Sequence, residues 1–293
     1  MPSAEFPVTA DPTAIPPLGL LLDVDGPIAS PETRTIAIPS ILSDLATLAN
    51  AGVPIAFITG RSQAFIAEQL VALLAGHLSP AARVYGVCEK GAVWFPITST
   101  GVGHVGIDHA VALPEPVVAR LRELVASDFS DSMFFDETKQ AMVSVEQRTD
   151  VNNEFYLAEQ ARFDDAAFAL LAAHGLGVSH GERVRPDARG EVPFRLDSTI
   201  ISTDIESVTL DKAAAAERTL AHFATTGALP RVWRSVGDSR GDYRMADHVH
   251  EAGLDAAHVD VRPSDGVLER PYPVITIGGR CCARAALARL RRY

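Results

Sequence analysis

The chain has 293 residues, of which 47% are hydrophobic and 22% are charged, and its formal net charge is -11. This composition predicts a folded protein with a large core, and the length is sufficient for two domains. The excess of acidic residues argues against non-specific binding to nucleic acid or to anionic membranes.

The N-terminal segment 1–17 is Pro-rich and is predicted to be a flexible tail. It lacks the basic region followed by an apolar region that marks a secretion signal. No uninterrupted apolar stretch approaches the ~20 residues that a membrane helix needs. The three cysteines are too few for a disulfide framework, and adjacent Cys281 and Cys282 would form a bridge only with strain. A cytoplasmic location is therefore expected.

Apolar strands alternate with helices from residue 18 to residue 95. The run Leu20, Leu21, Leu22 has no polar alternation, which is typical of a parallel strand covered on both faces. Further segments follow the same rhythm: a helix at 38–52, a strand at 53–61, a helix at 62–76 and a strand at 83–95. This order predicts a doubly wound, mostly parallel, Rossmann-like α/β core with helices on both faces of the sheet.

Residues 96–203 have a different pattern, with two strand-like stretches around a helical one, which predicts a smaller α+β domain inserted into the core. The α/β rhythm then resumes, so residues 18–95 and 204–293 are assigned to one core domain. The last segment, 281–293, is predicted to be an amphipathic helix with arginines at its C-terminal end. A basic tail that binds RNA or membrane is the less favoured alternative.

Polar clusters follow three of the predicted core strands, with the sequences DVDG, ITGR and SVGDSRGDYRMAD. Ligands of open parallel sheets bind beyond the carboxyl ends of the strands. The side chains expected to converge there are Asp23, Asp25, Thr59, Asp238 and Asp242. Four carboxylates repel one another unless a cation lies among them, and hard oxygen ligands favour Mg²⁺. Lys212, which opens the next predicted helix, could balance the charge of a bound phosphate.

At these residues the chain resembles the haloacid dehalogenase (HAD) superfamily of phosphohydrolases, whose four motifs are matched in order by DVDG, ITGR, TLDKAAAAE and VGDSRGDYRMAD. The insertion between the second and third motifs is similar to that of the sugar-phosphatase branch, which contains the Cof-type, sucrose-phosphate, trehalose-phosphate and mannosyl-3-phosphoglycerate phosphatases. In that branch the insertion is an α/β cap over the active site. The branch also has an ENGA-like turn after the third strand, where this chain has CEKGA.

The resemblance implies a role for each matched residue. Asp23 would be the nucleophile that forms an aspartyl-phosphate, and Asp25 would be the general acid and base. Thr59, Gly60 and Lys212 would bind the phosphoryl oxygens. The implied ligands of Mg²⁺ are Asp23, Asp25 through its main-chain carbonyl, Asp238, and Asp242 through a water molecule.

Local structural roles are the alternatives for three of these residues. Thr59 could belong to a helix cap, Lys212 could be a solvated residue in the first turn of a helix, and Asp242 could cap the helix that begins near Tyr243. Capping by Asp242 is compatible with a role at the metal.

Two positions depart from the family pattern, and the second of them bears on the choice of substrate. Pro27 stands where the first motif usually has Thr, and Lys90 stands where the ENGA-like turn has Asn, which adds a cation beside the predicted crevice.

In the inserted domain, Glu137, Lys139 and Arg148 flank a predicted strand and are candidate substrate contacts. An exposed, charged sheet edge is the favoured alternative for these three residues.

The leading functional prediction is a Mg²⁺-dependent phosphatase acting on a small phosphorylated metabolite, with a sugar phosphate as the expected substrate. A phosphosugar mutase similar to phosphomannomutase is the alternative, and a non-catalytic protein that binds a phosphorylated ligand is a third. Neither nucleic acid nor membrane is expected as a partner. The sequence predicts no oligomeric state.

Overall fold

The computed structural model describes residues 16–30, 35–36, 39–263 and 266–277. The predicted helix at 281–293, and all but the last two residues of the predicted tail, lie outside these ranges. Clustering of contacts divides the chain into two compact units. The core unit comprises the residues up to Gly106 and those from Asp211 onwards, and the inserted unit is Ile107–Leu210.

Within the described ranges the strands are, in chain order, β1 (Gly19–Leu22), β2 (Ile55–Ile58), β3 (Val84–Cys88), β4 (Val93–Thr98), β5 (Gly101–Val102), β6 (Gly106–Ile107), β7 (Met133–Phe135), β8 (Val143–Gln147), β9 (Val178–His180), β10 (Arg183–Arg185), β11 (Phe194–Ser198), β12 (Ser202–Ser207), β13 (Val232–Gly237), β14 (Asp255–Asp260) and β15 (Val274–Thr276). The α-helices are α1 (Pro39–Asn50), α2 (Gln63–Ile66), α3 (Ala72–Leu74), α4 (Glu115–Leu124), α5 (Asn153–Ala173), α6 (Lys212–Thr226) and α7 (Tyr243–Glu251). A π-helical segment joins α2 to α3, and another continues α4.

The core sheet has the order β15-β14-β13-β1-β2-β3-β4-β5, with β6 paired to β4. The strands from β15 to β3 are parallel, and β4 and β5 extend the sheet in antiparallel fashion. All residues of β1 and β2 are buried, as expected for strands covered on both faces. The predicted doubly wound, mostly parallel core is confirmed.

The order of the strands determines where the site can form. Strand β1 lies between β13 and β2, and Leu22 is in register with Val236 on one side and with Phe57 on the other. Because the three strands are parallel, the segments that follow them emerge at the same edge of the sheet. Helices α6 and α7 pack through Ala216, Phe223, Met245 and other apolar side chains against sheet residues including Leu21 and Ala56. This packing fixes the start of each helix relative to the strand ends.

The inserted unit contains a second sheet, of order β10-β9-β11-β12-β8-β7, which is antiparallel apart from the pairing of β9 with β11. Side chains such as Leu196, Ile205 and Val145 form a core with Phe163 and Leu121 from helices α5 and α4. This is the α+β arrangement that the sequence predicts. None of the described helices has the length and the apolar composition required to cross a bilayer.

The division into units differs in position from the predicted boundaries, which lie before residue 96 and after residue 203. Strand β4 pairs with β3 through Pro96 and Ile97, which keeps that segment in the core sheet. At the other boundary, β12 pairs with β11 as far as Ser207, so residues 204–210 belong to the inserted unit. Chain composition does not reveal either pairing.

Candidate active site

Asp23 follows β1 directly and is held at the edge of the core sheet. Its main-chain N–H donates to the carbonyl of Val236 at 2.9 Å, which continues the pairing of β1 with β13. Its carboxylate accepts a hydrogen bond from the N–H of Val24 at 2.8 Å, and the residue is 5% exposed. The acid at the end of the strand is therefore buried and fixed in orientation.

Gly26 closes the turn that follows. Its φ of 90° lies in the left-handed region, and a Cβ at this position would overlap the carboxylate of Asp238. The turn is closed by N–H donation from Gly26 to the carbonyl of Ala29 at 2.8 Å, with Pro27 inside it. Glycine is thus required here so that Asp238 can approach β1, and proline at 27 is compatible with the turn.

Three carboxylates and one ammonium group form the centre of the site. Asp23, Asp238 and Asp242 each offer an oxygen, and these three oxygens lie within 4.8 Å of one another. Lys212 Nζ lies 2.8 Å from Asp23 Oδ1 and also contacts Asp242 Oδ1. Lys212 begins α6, whose N-cap is Asp211, so the position of the ammonium group depends on the start of that helix.

Asp242 organises the turn that follows β13. Its Oδ2 accepts hydrogen bonds from the N–H groups of Asp238 and Ser239, at 2.9 and 2.7 Å, and from the Ser239 hydroxyl at 2.8 Å. Ser239 and Asp242 together form a capping box before α7. A side chain at Gly237 would overlap Asp242. The capping role predicted as an alternative for Asp242 is therefore present, and it coexists with the contact to Lys212.

Burial and mutual repulsion disturb the protonation of the three acids. Burial, together with the charge of Asp242, raises the pKa of Asp23 well above its usual value. Burial likewise raises the pKa of Asp238 to about 6. Burial also opposes ionisation of Asp242, but Lys212 and the hydrogen bonds from Ser239 outweigh it and lower the pKa. The cluster therefore concentrates negative charge that a cation would stabilise.

Asp25 lies beside the cluster and is bound by Arg61, which the sequence analysis did not assign to the site. Arg61 donates from Nε to Asp25 Oδ2 at 3.0 Å and from Nη2 to Asp25 Oδ1 at 3.2 Å. Its guanidinium group lies 4.9 Å from the centre of the Phe65 ring. Ser62, one residue further along, is the N-cap of α2. The sequence signal for Arg61 was its place in the ITGR motif. The proximity of Arg61 to Asp25, however, depends on the pairing of β1 with β2.

Thr59 and Gly60 follow β2, the neighbour of β1. The N–H of Thr59 donates to the carbonyl of Val87, its Oγ1 accepts from the N–H of Arg61, and its carbonyl accepts from the N–H of Lys90, each at 3.0 Å. Thr59 is 1% exposed, and Gly60 is partly exposed. The local hydrogen bonds shape this turn, and phosphate binding by Thr59 and Gly60 stays a prediction.

The candidate residues of the inserted unit take part in local ion pairs. Glu137 accepts two hydrogen bonds from Arg122 Nε, at 2.8 and 3.1 Å, and Arg148 donates twice to Asp150, at 3.1 Å each. Both pairs are exposed. Lys139 is half-buried, and its N–H donates to the carbonyl of Asp136. These contacts fit the charged-surface alternative, and a substrate role for the three residues stays a prediction.

No family model matches the sequence, and no curated protein matches it. Solved structures do match over almost the whole chain. The C-terminal domain of the trehalose-6-phosphate phosphatase of C. albicans gives a TM-score of 0.62 at 13% identity, covering 94% of this chain and 91% of that one. A haloacid dehalogenase-like hydrolase from Bacteroides thetaiotaomicron gives 0.59 at 12% identity, covering 93% and 98%.

The trehalose-6-phosphate phosphatase of Aspergillus fumigatus gives a TM-score of 0.51 at 16% identity, covering 94% of this chain and 92% of that one. At such identities the likeness concerns the fold, and it includes the inserted unit because nearly the whole chain is covered. The resemblance seen in the four motifs is thus confirmed at the level of the fold: this chain has the fold of the HAD-like hydrolases, with the insertion between the second and third motifs.

Proposed function

We propose that this protein is a Mg²⁺-dependent phosphatase that hydrolyses a small phosphorylated metabolite, a sugar phosphate, through an aspartyl-phosphate at Asp23. The observation that carries the proposal is the convergence of Asp23, Asp238 and Asp242 around Lys212 at the carboxyl edge of a parallel sheet. A buried group of carboxylates at this edge suits phosphoryl transfer, in which catalysis depends on positioning and on charge stabilisation.

The donor set fits Mg²⁺, because its groups are carboxylate oxygens that lie within 4.8 Å of one another, and because burial, with a contribution from the charge of Asp242, raises the pKa of Asp23 and of Asp238. Asp23, Asp238 and the main-chain carbonyl of Asp25 would hold the ion, with Asp242 acting through a water molecule. When bound, Mg²⁺ would neutralise charge on the phosphoryl oxygens and favour the ionised state of the carboxylates.

Asp23 would attack the phosphorus atom, and the bond from phosphorus to the ester oxygen would break. The hydrogen bond from the N–H of Val24 fixes one oxygen of the nucleophile, which limits the orientations that the carboxylate can take. Lys212 would contribute positive charge at the phosphoryl oxygens while keeping Asp23 and Asp242 in place. The main-chain N–H groups of the Thr59–Gly60 turn would bind the same oxygens.

Asp25 would deliver a proton to the leaving oxygen and then accept one from the water that hydrolyses the aspartyl-phosphate. Asp25 follows Asp23 by two residues in the turn after β1, and it would serve the same phosphoryl group. The two hydrogen bonds from Arg61 hold the Asp25 carboxylate in one orientation. Arg61 would therefore be a positioning residue for the proton transfer.

A sugar phosphate is proposed because two of the similar structures are trehalose-6-phosphate phosphatases, and because the inserted unit offers polar side chains for a hydroxylated leaving group. Glu137, Lys139 and Arg148 remain the proposed contacts in that unit. Glu137 pairs with exposed Arg122, and Arg148 pairs with exposed Asp150. Both ion pairs would have to open when a substrate binds.

The test is a screen of the purified protein against a panel of phosphorylated metabolites and p-nitrophenyl phosphate, with Mg²⁺ and with a chelator. We expect release of inorganic phosphate that requires Mg²⁺ and needs no activating bisphosphate. Phosphoryl transfer to a second sugar position without phosphate release would indicate the mutase alternative instead.

Asp23→Asn is the decisive variant, because an amide cannot form the acyl-phosphate, and we expect a loss of at least ~10⁴-fold in kcat. Asp255→Asn is the matched control, since Asp255 lies exposed at the opposite end of the core sheet, where β14 begins. Circular dichroism and thermal melting establish that both variants are folded. An active Asp23→Asn enzyme would refute the nucleophile assignment.

A further inference from the structure

Lys90 occupies a strained turn next to the candidate active site. The turn Glu89–Gly91 follows β3, and Glu89 and Lys90 have φ values of 50° and 54°. Among the described residues these two are the non-glycine positions with positive φ. Such a conformation costs on the order of 1 kcal/mol for each ordinary side chain and persists where the surrounding structure enforces it.

The turn is attached to the segment that carries the predicted phosphate-binding residues. The N–H of Lys90 donates to the carbonyl of Thr59 at 3.0 Å, and the N–H of Glu89 donates to the carbonyl of Arg61 at 3.1 Å. The two hydrogen bonds flank Gly60. Movement of the Lys90 turn would therefore displace the Thr59–Gly60 turn as well.

The side chain of Lys90 extends over Gly60. A Cβ placed on Gly60 would lie 3.7 Å from Lys90 Cε and 4.0 Å from Lys90 Cγ, so the methylene groups cover the face of the glycine. The ammonium group is one bond beyond Cε. The stem passes close to Gly60, and the positive charge consequently lies near the main chain that would bind a phosphoryl group.

Lysine is rare in this chain, which makes the choice at this position informative. Of the 26 basic residues, the lysines are Lys90, Lys139 and Lys212, and the others are arginines. A dianionic phosphate monoester entering the site brings further negative charge that additional positive charge would stabilise.

We propose that Lys90 is a substrate-binding residue whose ammonium group binds the phosphoryl oxygens from the side of Gly60, complementing Lys212. The proposal rests on the proposed phosphatase function, and it adds a second lysine to the phosphate-binding groups. A compact ammonium with three rotatable donors suits a phosphate group whose charge moves between oxygens during transfer. The strained backbone serves this role by directing the stem of Lys90 across Gly60.

The first test uses Lys90→Asn, because asparagine adopts the left-handed conformation more readily than lysine and lacks the charge. We expect KM for p-nitrophenyl phosphate and Kd for inorganic phosphate, measured by calorimetry with Mg²⁺, to rise about tenfold, with kcat changed by less than about threefold. The melting temperature should stay the same or rise. Loss of affinity could then not be attributed to unfolding.

Two further variants make the result specific. Arg231→Gln removes a positive charge from an exposed position just before β13, at the opposite end of that strand from Asp238, and should leave both constants unchanged. Lys90→Arg keeps the charge and should recover part of the affinity. An equal weakening in Arg231→Gln and Lys90→Asn would mean that net charge alone is responsible, which would overturn the proposal.

A second measurement reports on Lys90 directly, without turnover. An amine-reactive reagent acylates the native protein, and peptide mass spectrometry then measures the extent of acylation at each of the three lysines. Inorganic phosphate with Mg²⁺ should slow acylation of Lys90 and leave Lys139 unaffected. Unchanged acylation of Lys90 at saturating phosphate contradicts the proposal.

The two levels of failure are distinguishable. If the wild-type protein hydrolyses no phosphate ester, the proposed function fails, while calorimetry and acylation still decide whether Lys90 binds phosphate. If the wild-type protein is an active phosphatase and Lys90→Asn retains its KM and its Kd for phosphate, the assignment of Lys90 fails alone.

Discussion

Buried acids in the two units of this protein are stabilised in opposite ways. In the inserted unit, Asp164 accepts hydrogen bonds from the hydroxyl groups of Thr203 and Ser198, at 2.7 and 2.8 Å. In the core unit, Asp23, Asp238 and Asp242 approach one another within 4.8 Å. Asp164 accepts these hydrogen bonds from neutral hydroxyl groups, whereas the acids of the core unit lie beside one another and beside the cations Lys212 and Arg262.

The difference shows how a structural acid can be told from a functional one. A buried carboxylate that accepts enough hydrogen bonds stabilises the fold and has no need of a ligand. Burial of the core-unit acids opposes their ionisation and so opposes folding, and the raised pKa of Asp23 and of Asp238, caused first by burial and in part by the charge of Asp242, expresses that cost. Glu206 of the inserted unit also faces a donor, because Arg195 donates to its Oε1 at 2.6 and 3.0 Å.

After Asp23→Asn, removing the ammonium group of Lys212 should have the largest effect. In Lys212→Met, Asp23 and Asp242 lose their shared cation, and we expect kcat/KM for p-nitrophenyl phosphate to fall by ~10³, which corresponds to about 4 kcal/mol. The unfolding free energy should fall by about 3 kcal/mol, since a buried charge pair is broken. Steady-state kinetics and urea titration measure the two effects, with Lys212→Arg as the variant that keeps the charge. Activity near the wild-type level in Lys212→Met would mean that the cluster is not the catalytic centre.

Replacing Asp164, the buried acid of the inserted unit, should lower the unfolding free energy without affecting metal binding. Asp164→Ala leaves the hydroxyl groups of Thr203 and Ser198 without their acceptor, and His180 Nε2, 3.6 Å from Asp164, loses a neighbouring carboxylate. We expect a loss of about 2–3 kcal/mol in unfolding free energy, measured by urea titration. Calorimetric Mg²⁺ affinity should equal that of the wild type, and a change in that affinity would contradict the proposed separation of roles.

Asp238→Asn should stabilise the metal-free protein at neutral pH. Because folding raises the pKa of Asp238 to about 6, the ionised carboxylate lowers the unfolding free energy above that pH, and the penalty disappears as the pH falls towards 4. We expect Asp238→Asn to gain about 1–2 kcal/mol at pH 7.5, allowing for screening by water, and a smaller gain at pH 5. Thermal melting with and without Mg²⁺ measures this, and Mg²⁺ should stabilise the wild type but not the variant. An equal gain at both pH values would show that the carboxylate charge is not its origin.

The smallest effect is expected at Arg148, in an exposed pair with Asp150. Arg148→Ala should change the unfolding free energy by less than ~0.5 kcal/mol, because water screens such pairs. KM decides between the surface role and the substrate role: as a substrate contact, Arg148→Ala raises KM for the sugar phosphate and leaves hydrolysis of p-nitrophenyl phosphate unchanged. Equal loss on both substrates counts against a substrate role.

The clustering of acids at the strand ends was predictable from sequence because it follows from local patterns. A buried apolar run, as in β1, must be a strand covered on both faces, and a polar residue directly after it must emerge at the sheet edge. Asp23 and Asp238 could therefore be placed at the same edge without knowledge of any contact. The start of α6 at Lys212 followed from the alanine-rich segment after it.

Side-chain partners were not predictable in the same way. The binding of Arg61 to Asp25 could not be predicted, because the sequence does not state which strands are neighbours or how they are aligned. For the charged residues of the inserted unit the sequence favoured an exposed, charged edge over substrate contact, but it did not show that Glu137 pairs with Arg122 and Arg148 with Asp150. Such choices depend on distances between side chains that only folding brings within reach.

The amino-acid sequence by itself determined that acids, a threonine and a lysine would collect at one edge of a parallel α/β sheet, because strand periodicity and burial act within short segments. Only the tertiary structure decided which of these groups share an oxygen-rich centre, that Asp242 both caps a turn and holds Lys212, and that Lys90 crosses Gly60. The physical reason is that pairing of the strands sets distances between residues far apart in the chain, and electrostatic interactions at a few ångströms depend on those distances.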